Sequence, residues 1–181
     1  LAKVALIVLL FGSVLLHELG HALTARRYGI RTLDIVLTPI GGMARVIDLP
    51  AKPRQEIAVA LAGPLVSLAI AAAGFGVTLP LAFLPLVPGA IFDGLGLLVW
   101  INFMLGLFNL VPALPMDGGR VLRGLLALKY DFLTATRIAA RVGRVLAVIG
   151  GLLAVFYLKS WNLGLISLFV FLSAGAEERR A

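Results

Sequence analysis

The chain has 181 residues, 61% of them hydrophobic and 14% charged; its mean hydropathy of +1.05 lies far from that of a soluble domain, where roughly 45–50% of residues are apolar, so a soluble enzyme is excluded and one polytopic membrane domain over 1–181 is predicted. The net charge of +7 does not point to nucleic acid, because the basic residues fall between apolar runs and not on the face of a soluble module. Without cysteine there are neither disulfides nor thiolate ligands, so any metal is left to His, Asp or Glu.

The first apolar run, Val4–Ala25, is long enough to cross a bilayer. It is not a signal peptide, since it has no basic start and no small-residue cleavage site. A chain opening on Leu1 in place of Met is expected to lack a segment upstream. Near the end of this run stand His17-Glu18-Leu19-Gly20-His21, with the only two histidines of the chain. Ionisable groups at such depth are costly and mark a functional site. On a helix, positions four apart share a face, so both imidazoles can grip one Zn²⁺ while Glu18, a turn short of His21, reaches a metal-bound water.

Arg31–Ile47 follows, with β-favouring Thr32, Ile35, Val36, Val46 and Ile47 around the turn signal Pro39-Ile40-Gly41-Gly42. It reads as a β-hairpin or small sheet beside the first helix, either an edge on which an extended substrate pairs or a lid over the helix ends. Further apolar stretches at Ile57–Leu86, Ala90–Val111, Leu146–Leu158 and Leu163–Ala174 bring the expected count to five membrane helices, an all-α membrane fold with that hairpin added. Between the third and fourth, Arg120–Arg144 has Leu122, Leu125 and Leu126 between Arg120 and Lys129 and is expected to lie along the membrane surface. All Lys and Arg except Lys3 and Lys159 then fall on one side of the bilayer, which the positive-inside rule makes the cytoplasm.

Asn109 to Gly119 reads Asn-Leu-Val-Pro-Ala-Leu-Pro-Met-Asp-Gly-Gly. Two prolines and two glycines stop a helix here, and irregular backbone at membrane depth survives only where protein buries it or water reaches it. Asp34, Asp48, Glu56, Asp131, Glu177 and Glu178 are expected in loops, strands or the tail, and Asp93 at the far end of the third helix. Asp117 is thus the acid placed to join the histidines, or else a cap or turn carboxylate before Gly118-Gly119.

In His17 to His21, in Ala62-Gly63-Pro64-Leu65-Val66-Ser67 of the second helix and in Asn109 to Gly119, the chain resembles the site-2 protease family of intramembrane zinc metalloproteases, in order and spacing along nearly its whole length. The resemblance implies a prokaryotic membrane core with one Zn²⁺ per chain, Asp117 as third ligand and Glu18 as general base. It also implies a further membrane helix upstream, and neither a PDZ insertion nor a cystathionine-β-synthase-type domain within these residues. The implied reaction is hydrolysis of peptide bonds in or near transmembrane segments of membrane-tethered proteins, toward the cytoplasmic side of the cell membrane.

Asn109 is a candidate donor to the oxyanion or to the substrate backbone, a role the resemblance also suggests, or an amide that bonds to a neighbouring helix. Asn102, seven residues earlier, reads as such interhelical glue. Gly63-Pro64 and Ser67 read chiefly as a close-packing and kink device, with contact to the active-site waters the other role open to Ser67. Arg120 could meet phospholipid or substrate. The rival function is a metal or proton transporter in which His17, Glu18, His21 and Asp117 form a relay.

Overall fold

The computed structural model describes residues 2–30, 32–38, 41–46, 52–83 and 88–180. Its contacts group into two compact units, Leu1–Leu49 with Ala62–Phe108, and Pro50–Leu61 with Asn109–Ala181.

In the first unit, α1 (Ala2–Arg27) carries no proline through its apolar length and stops where Gly29 turns left-handed at φ +74°. There Tyr28 N–H and Ile30 N–H both donate to Ala25 O. A Cβ would resist that conformation, so glycine closes the helix. Strands β1 (Thr32–Thr38) and β2 (Gly41–Val46) pair antiparallel, Thr32 opposite Val46 and Thr38 opposite Gly41, and both lie against α1. Of the expected hairpin, Arg31, Pro39, Ile40 and Ile47 lie outside the described residues, as do Asp48 and Leu84 to Leu86. Helix α2 (Pro53–Leu81), which belongs to the first unit only from Ala62 on, opens on proline, whose missing N–H costs nothing at a first helical position. It is followed by α3 (Gly89–Asn109).

Lipid offers no hydrophobic drive between helices, so small residues that let backbones approach hold them together. A Cβ on Gly20 would stand 2.9 Å from Ala62 O, and one on Gly106 would stand 2.8 Å from Leu68 Cγ. Asn102, fully buried, donates through Nδ2 to Ser13 Oγ at 2.9 Å and to Leu98 O, the interhelical role expected of it. Large apolar side chains such as Val8, Leu65 and Trp100 face outward, as a lipid-bathed surface requires.

In the second unit, α4 (Asp117–Leu126), α5 (Phe132–Leu152) and α6 (Trp161–Arg180) are joined by short turns, and a π-helical segment, Leu153–Tyr157, prolongs α5. Asp131 caps α5 by accepting the Thr134 N–H at 2.9 Å. Gly151 of α5 faces Ser167 and Gly164 of α6 faces Val155, while Arg144 and Glu178 form an ion pair between α5 and α6. The segment before α4 packs on this pair of helices. Leu114 is buried with Ala139, Ala140 and Ala174, and Ala113 with Ala147 and Val170.

Four helical stretches among the described residues are long and apolar enough to cross a membrane: Ile7–Arg27, Pro53–Leu81, Gly89–Asn109 and Phe132–Tyr157. That corrects the expectation of five. The run at Leu163–Ala174 sits in α6, whose ends carry Trp161-Asn162 and Glu177 to Arg180 and dilute its hydropathy. The run at Leu146–Leu158 is the end of a longer span that begins at Phe132. The amphipathic element therefore stops at Leu126, because Ala135, Ala139, Ala140 and Gly143 make a small-residue face that buries the start of α5. Glu56 is likewise not in a loop but in the first turn of α2, and Glu177 and Glu178 are helical.

Candidate metal centre

Helix α1 sets His17 and His21 one turn apart, 3% and 6% exposed. Their rings meet edge to face at 78°, and the two Nε2 atoms stand 3.3 Å apart. Two nitrogens bound to one tetrahedral zinc at 2.0–2.1 Å would be separated by about 3.3–3.4 Å. The pair therefore already has the bite that the ion needs, so the residues present fit zinc.

Opposite them, α2 presents Gly63. A Cβ there would lie 2.2 Å from His21 Nε2 and 2.7 Å from His17 Nε2, so the absent side chain is the space into which both donors point. One turn on, Ser67 is fully buried, with Oγ 3.0 Å from His17 Nδ1. Glu18 is half-buried on α1 beside His17.

In the second unit, Asp117 is buried as the first residue of α4. The capping position belongs to Met116, which makes no side-chain cap, so Asp117 is not the N-cap carboxylate that its place before two glycines allowed. At the first turn, its charge is favoured by the helix dipole. Gly118 and Gly119 are required there: a Cβ would fall 2.2 Å from Leu110 O or 2.4 Å from Leu114 N, so the chain doubles back on itself just before α4. The far end of α4 is clamped. Arg123 donates through Nε at 2.8 Å and through Nη2 to the same oxygen of Glu56, both groups being buried, and its guanidinium lies 4.9 Å above the Phe132 ring centre. Gly124 lets α4 rest on Pro53 O and Ile57.

His17 and His21 of the first unit and Asp117 of the second are each buried and each of a donor type that holds zinc. Asn109 is the half-buried last residue of α3. Reading the residues in order missed the clamp, because Glu56 and Arg123 each look like an ordinary surface charge. It also undervalued Gly63 and Ser67. Their four-residue spacing, which puts them on one face of α2, was the available signal.

The sequence pattern of Peptidase family M50 matches residues 5–85 and 87–150. The chain belongs to peptidase family M50. A zinc metalloprotease of Methanocaldococcus jannaschii is 44% identical over 183 residues, covering 96% of this chain and 49% of that protein. The stage IV sporulation protein FB of Bacillus subtilis is 30% identical over 166 residues, covering 91% of this chain and 55% of that protein. A solved site-2 protease from Methanocaldococcus jannaschii superposes with a TM-score of 0.74 at 42% identity, over 96% of this chain and 77% of that one. This M50 member spans about half the length of the sequence relatives it matches. Family membership together with the four apolar spans makes it an integral membrane protein.

Proposed function

We propose that residues 1–181 act as one intramembrane metalloprotease core, which holds a single Zn²⁺ through His17, His21 and Asp117 and hydrolyses peptide bonds in or near the transmembrane segments of membrane-tethered proteins. The observation that carries this reading is the buried pair of Nε2 atoms 3.3 Å apart in a chain of a peptidase family. Asp117 is supported as third ligand by its burial and by a composition that leaves neither a third histidine nor a cysteine.

Zinc, when bound, supplies the Lewis acidity that activates water and a peptide carbonyl at neutral pH. Glu18 accepts the proton of the attacking water and returns it to the departing amine. The Asn109 amide N–H donates to the oxyanion or to the substrate backbone. A substrate helix hides its carbonyls, so it must unwind before it is cut, and the edge of β1 or β2 is placed in sequence to take up the extended strand. The Lys and Arg between the first two spans and between the third and fourth, Arg31, Arg45, Lys52, Arg120, Arg123 and Lys129, support a site toward the cytoplasm, and relatives in Methanocaldococcus jannaschii and Bacillus subtilis support a prokaryotic cell membrane.

The rival reading as an ion transporter finds no support, since the family is one of peptidases. The test is Glu18→Gln, purified in folded form with a membrane-spanning substrate: zinc content is retained and cleavage is lost. Cleavage at the parent rate would end the proposal.

A further inference from the structure

Helices α5 and α6 run antiparallel, with Gly151 opposite Ser167, Gly164 opposite Val155 and Arg144 paired with Glu178. This register brings the charge boundaries of the two helices to one level. Residues 145–158 carry no charge and neither do residues 160–176, so the Arg144–Glu178 pair marks where both helices pass from charged to apolar. In an integral membrane protein that level is the seam between headgroups and hydrocarbon, where a long basic side chain reaches out to the interface. A groove opens on the helix pair at this seam. Its wider part, of about 440 Å³, is lined by Arg144, Phe171, Leu172, Gly175, Ala176 and Arg179, and falls within the roughly 300–1,000 Å³ of small-molecule sites. From Arg144 and Phe171 it continues past Val145, Val148 and Ile149 for a further volume of about 250 Å³.

We propose that this groove binds a phospholipid with an anionic headgroup, its phosphate between Arg144 and Arg179 and an acyl chain along Val145, Val148 and Ile149. Charge complementarity carries the argument. Two guanidinium groups and no carboxylate line the wider part. Arg144 is matched by Glu178, but the exposed Arg179 makes no ion pair among the described residues. Arg141, exposed one turn before Arg144, adds to the positive field. Basic pockets between membrane helices are sites that acidic headgroups occupy. Beyond Arg144 the narrower part is lined by apolar side chains, which suits a hydrocarbon chain and not a free anion. Gly175 keeps the floor open, since a Cβ there would meet nothing within 4 Å. A seam that served only to bridge α5 and α6 through Arg144 and Glu178 would have no preference among headgroups, because that pair neutralises itself.

The experiment titrates the full chain in detergent with phosphatidylglycerol or with phosphatidylcholine of the same acyl chains and reads bound lipid by native mass spectrometry. The parent is expected to hold phosphatidylglycerol about 5-fold more tightly, the worth of one uncompensated basic side chain near an anionic surface. Arg179→Gln should bring the two lipids near parity, and Gly175→Leu, which fills the groove, should remove tight binding of both. Arg27→Gln, the same loss of charge at an exposed position of α1, should leave the preference as in the parent. Inorganic phosphate at millimolar concentration should not displace the lipid. Arg179→Gln alters one exposed side chain, so it decides the matter even if melting shows Gly175→Leu to be poorly folded. Equal affinity for the two lipids in the parent, or an undiminished preference in Arg179→Gln, would overturn the proposal. Displacement by phosphate would make the groove a simple anion site and overturn it too. A dimer that Gly175→Leu dissociates with lipid binding unchanged would give the groove to a second copy, with the same consequence.

Discussion

Gly63→Ala is the substitution in which local preference and the site pull hardest against each other. Alanine in a helix interior is favoured over glycine by roughly 0.5–1 kcal/mol, so α2 by itself gains. The new methyl group, however, would stand 2.2 Å from His21 Nε2 and 2.7 Å from His17 Nε2, where non-bonded carbon contacts settle at about 3.5 Å or more. The His21 ring must move by roughly 1 Å or α2 must withdraw, whereas metal–ligand distances tolerate only about ±0.2 Å. The expected outcome is a folded, equally helical protein whose zinc content falls to near none and whose cleavage rate falls by about 100-fold or more, the usual cost of a 1 Å misplacement. Elemental zinc per chain and circular dichroism on detergent-purified protein measure both sides. Gly76→Ala, in the same helix with nothing within 4 Å of the added Cβ, serves as the control. A folded Gly63→Ala protein carrying the parent's zinc would refute the reasoning.

Arg123→Ala strands the Glu56 carboxylate in a buried site and is expected to cost about 3–5 kcal/mol, seen as a lower melting temperature. The double replacement Glu56→Leu with Arg123→Met should recover most of that loss, and no recovery would mean that the pair does something other than neutralise itself. At the surface, the Thr134 backbone N–H that Asp131 accepts holds its carboxyl below the usual carboxylate range. A folded-state pKa below the unfolded one means that the cap stabilises α5 above the ordinary value and is lost as pH falls through the lowered one. Amide exchange at Thr134 should accelerate in that acid window, and in Asp131→Asn, which caps without titrating, it should not.

The histidine pair was legible, because a four-residue interval on a helix is a local property: backbone hydrogen bonds alone put His17 and His21 on one face, although the side-chain rotamers that bring their Nε2 atoms to 3.3 Å are not set by that interval. The helix break before Asp117 was legible for the same reason, since Pro112 and Pro115 act on their own backbone; Gly118 and Gly119, expected to help stop the helix, lie instead inside α4, where they let residues 110–114 come close. The number of spans was not, because hydropathy alone did not show that the start of α5 is a small-residue face buried against its neighbours while α6 is polar at both ends.

Ser67 lies 50 residues from His17, and Arg123 lies 67 from Glu56. Nothing in the character of a serine or an arginine says which distant group it will meet. The sequence by itself determined the chemistry available to this protein, namely two imidazoles and a carboxylate on one turn of an apolar helix and an aspartate after a broken one, since short-range spacing dictates those placements. Only the tertiary structure decided that Gly63 is the gap both imidazoles face, that Ser67 meets His17, and that Glu56 and Arg123 neutralise each other, because helix packing joins residues whose separation along the chain carries no geometric information.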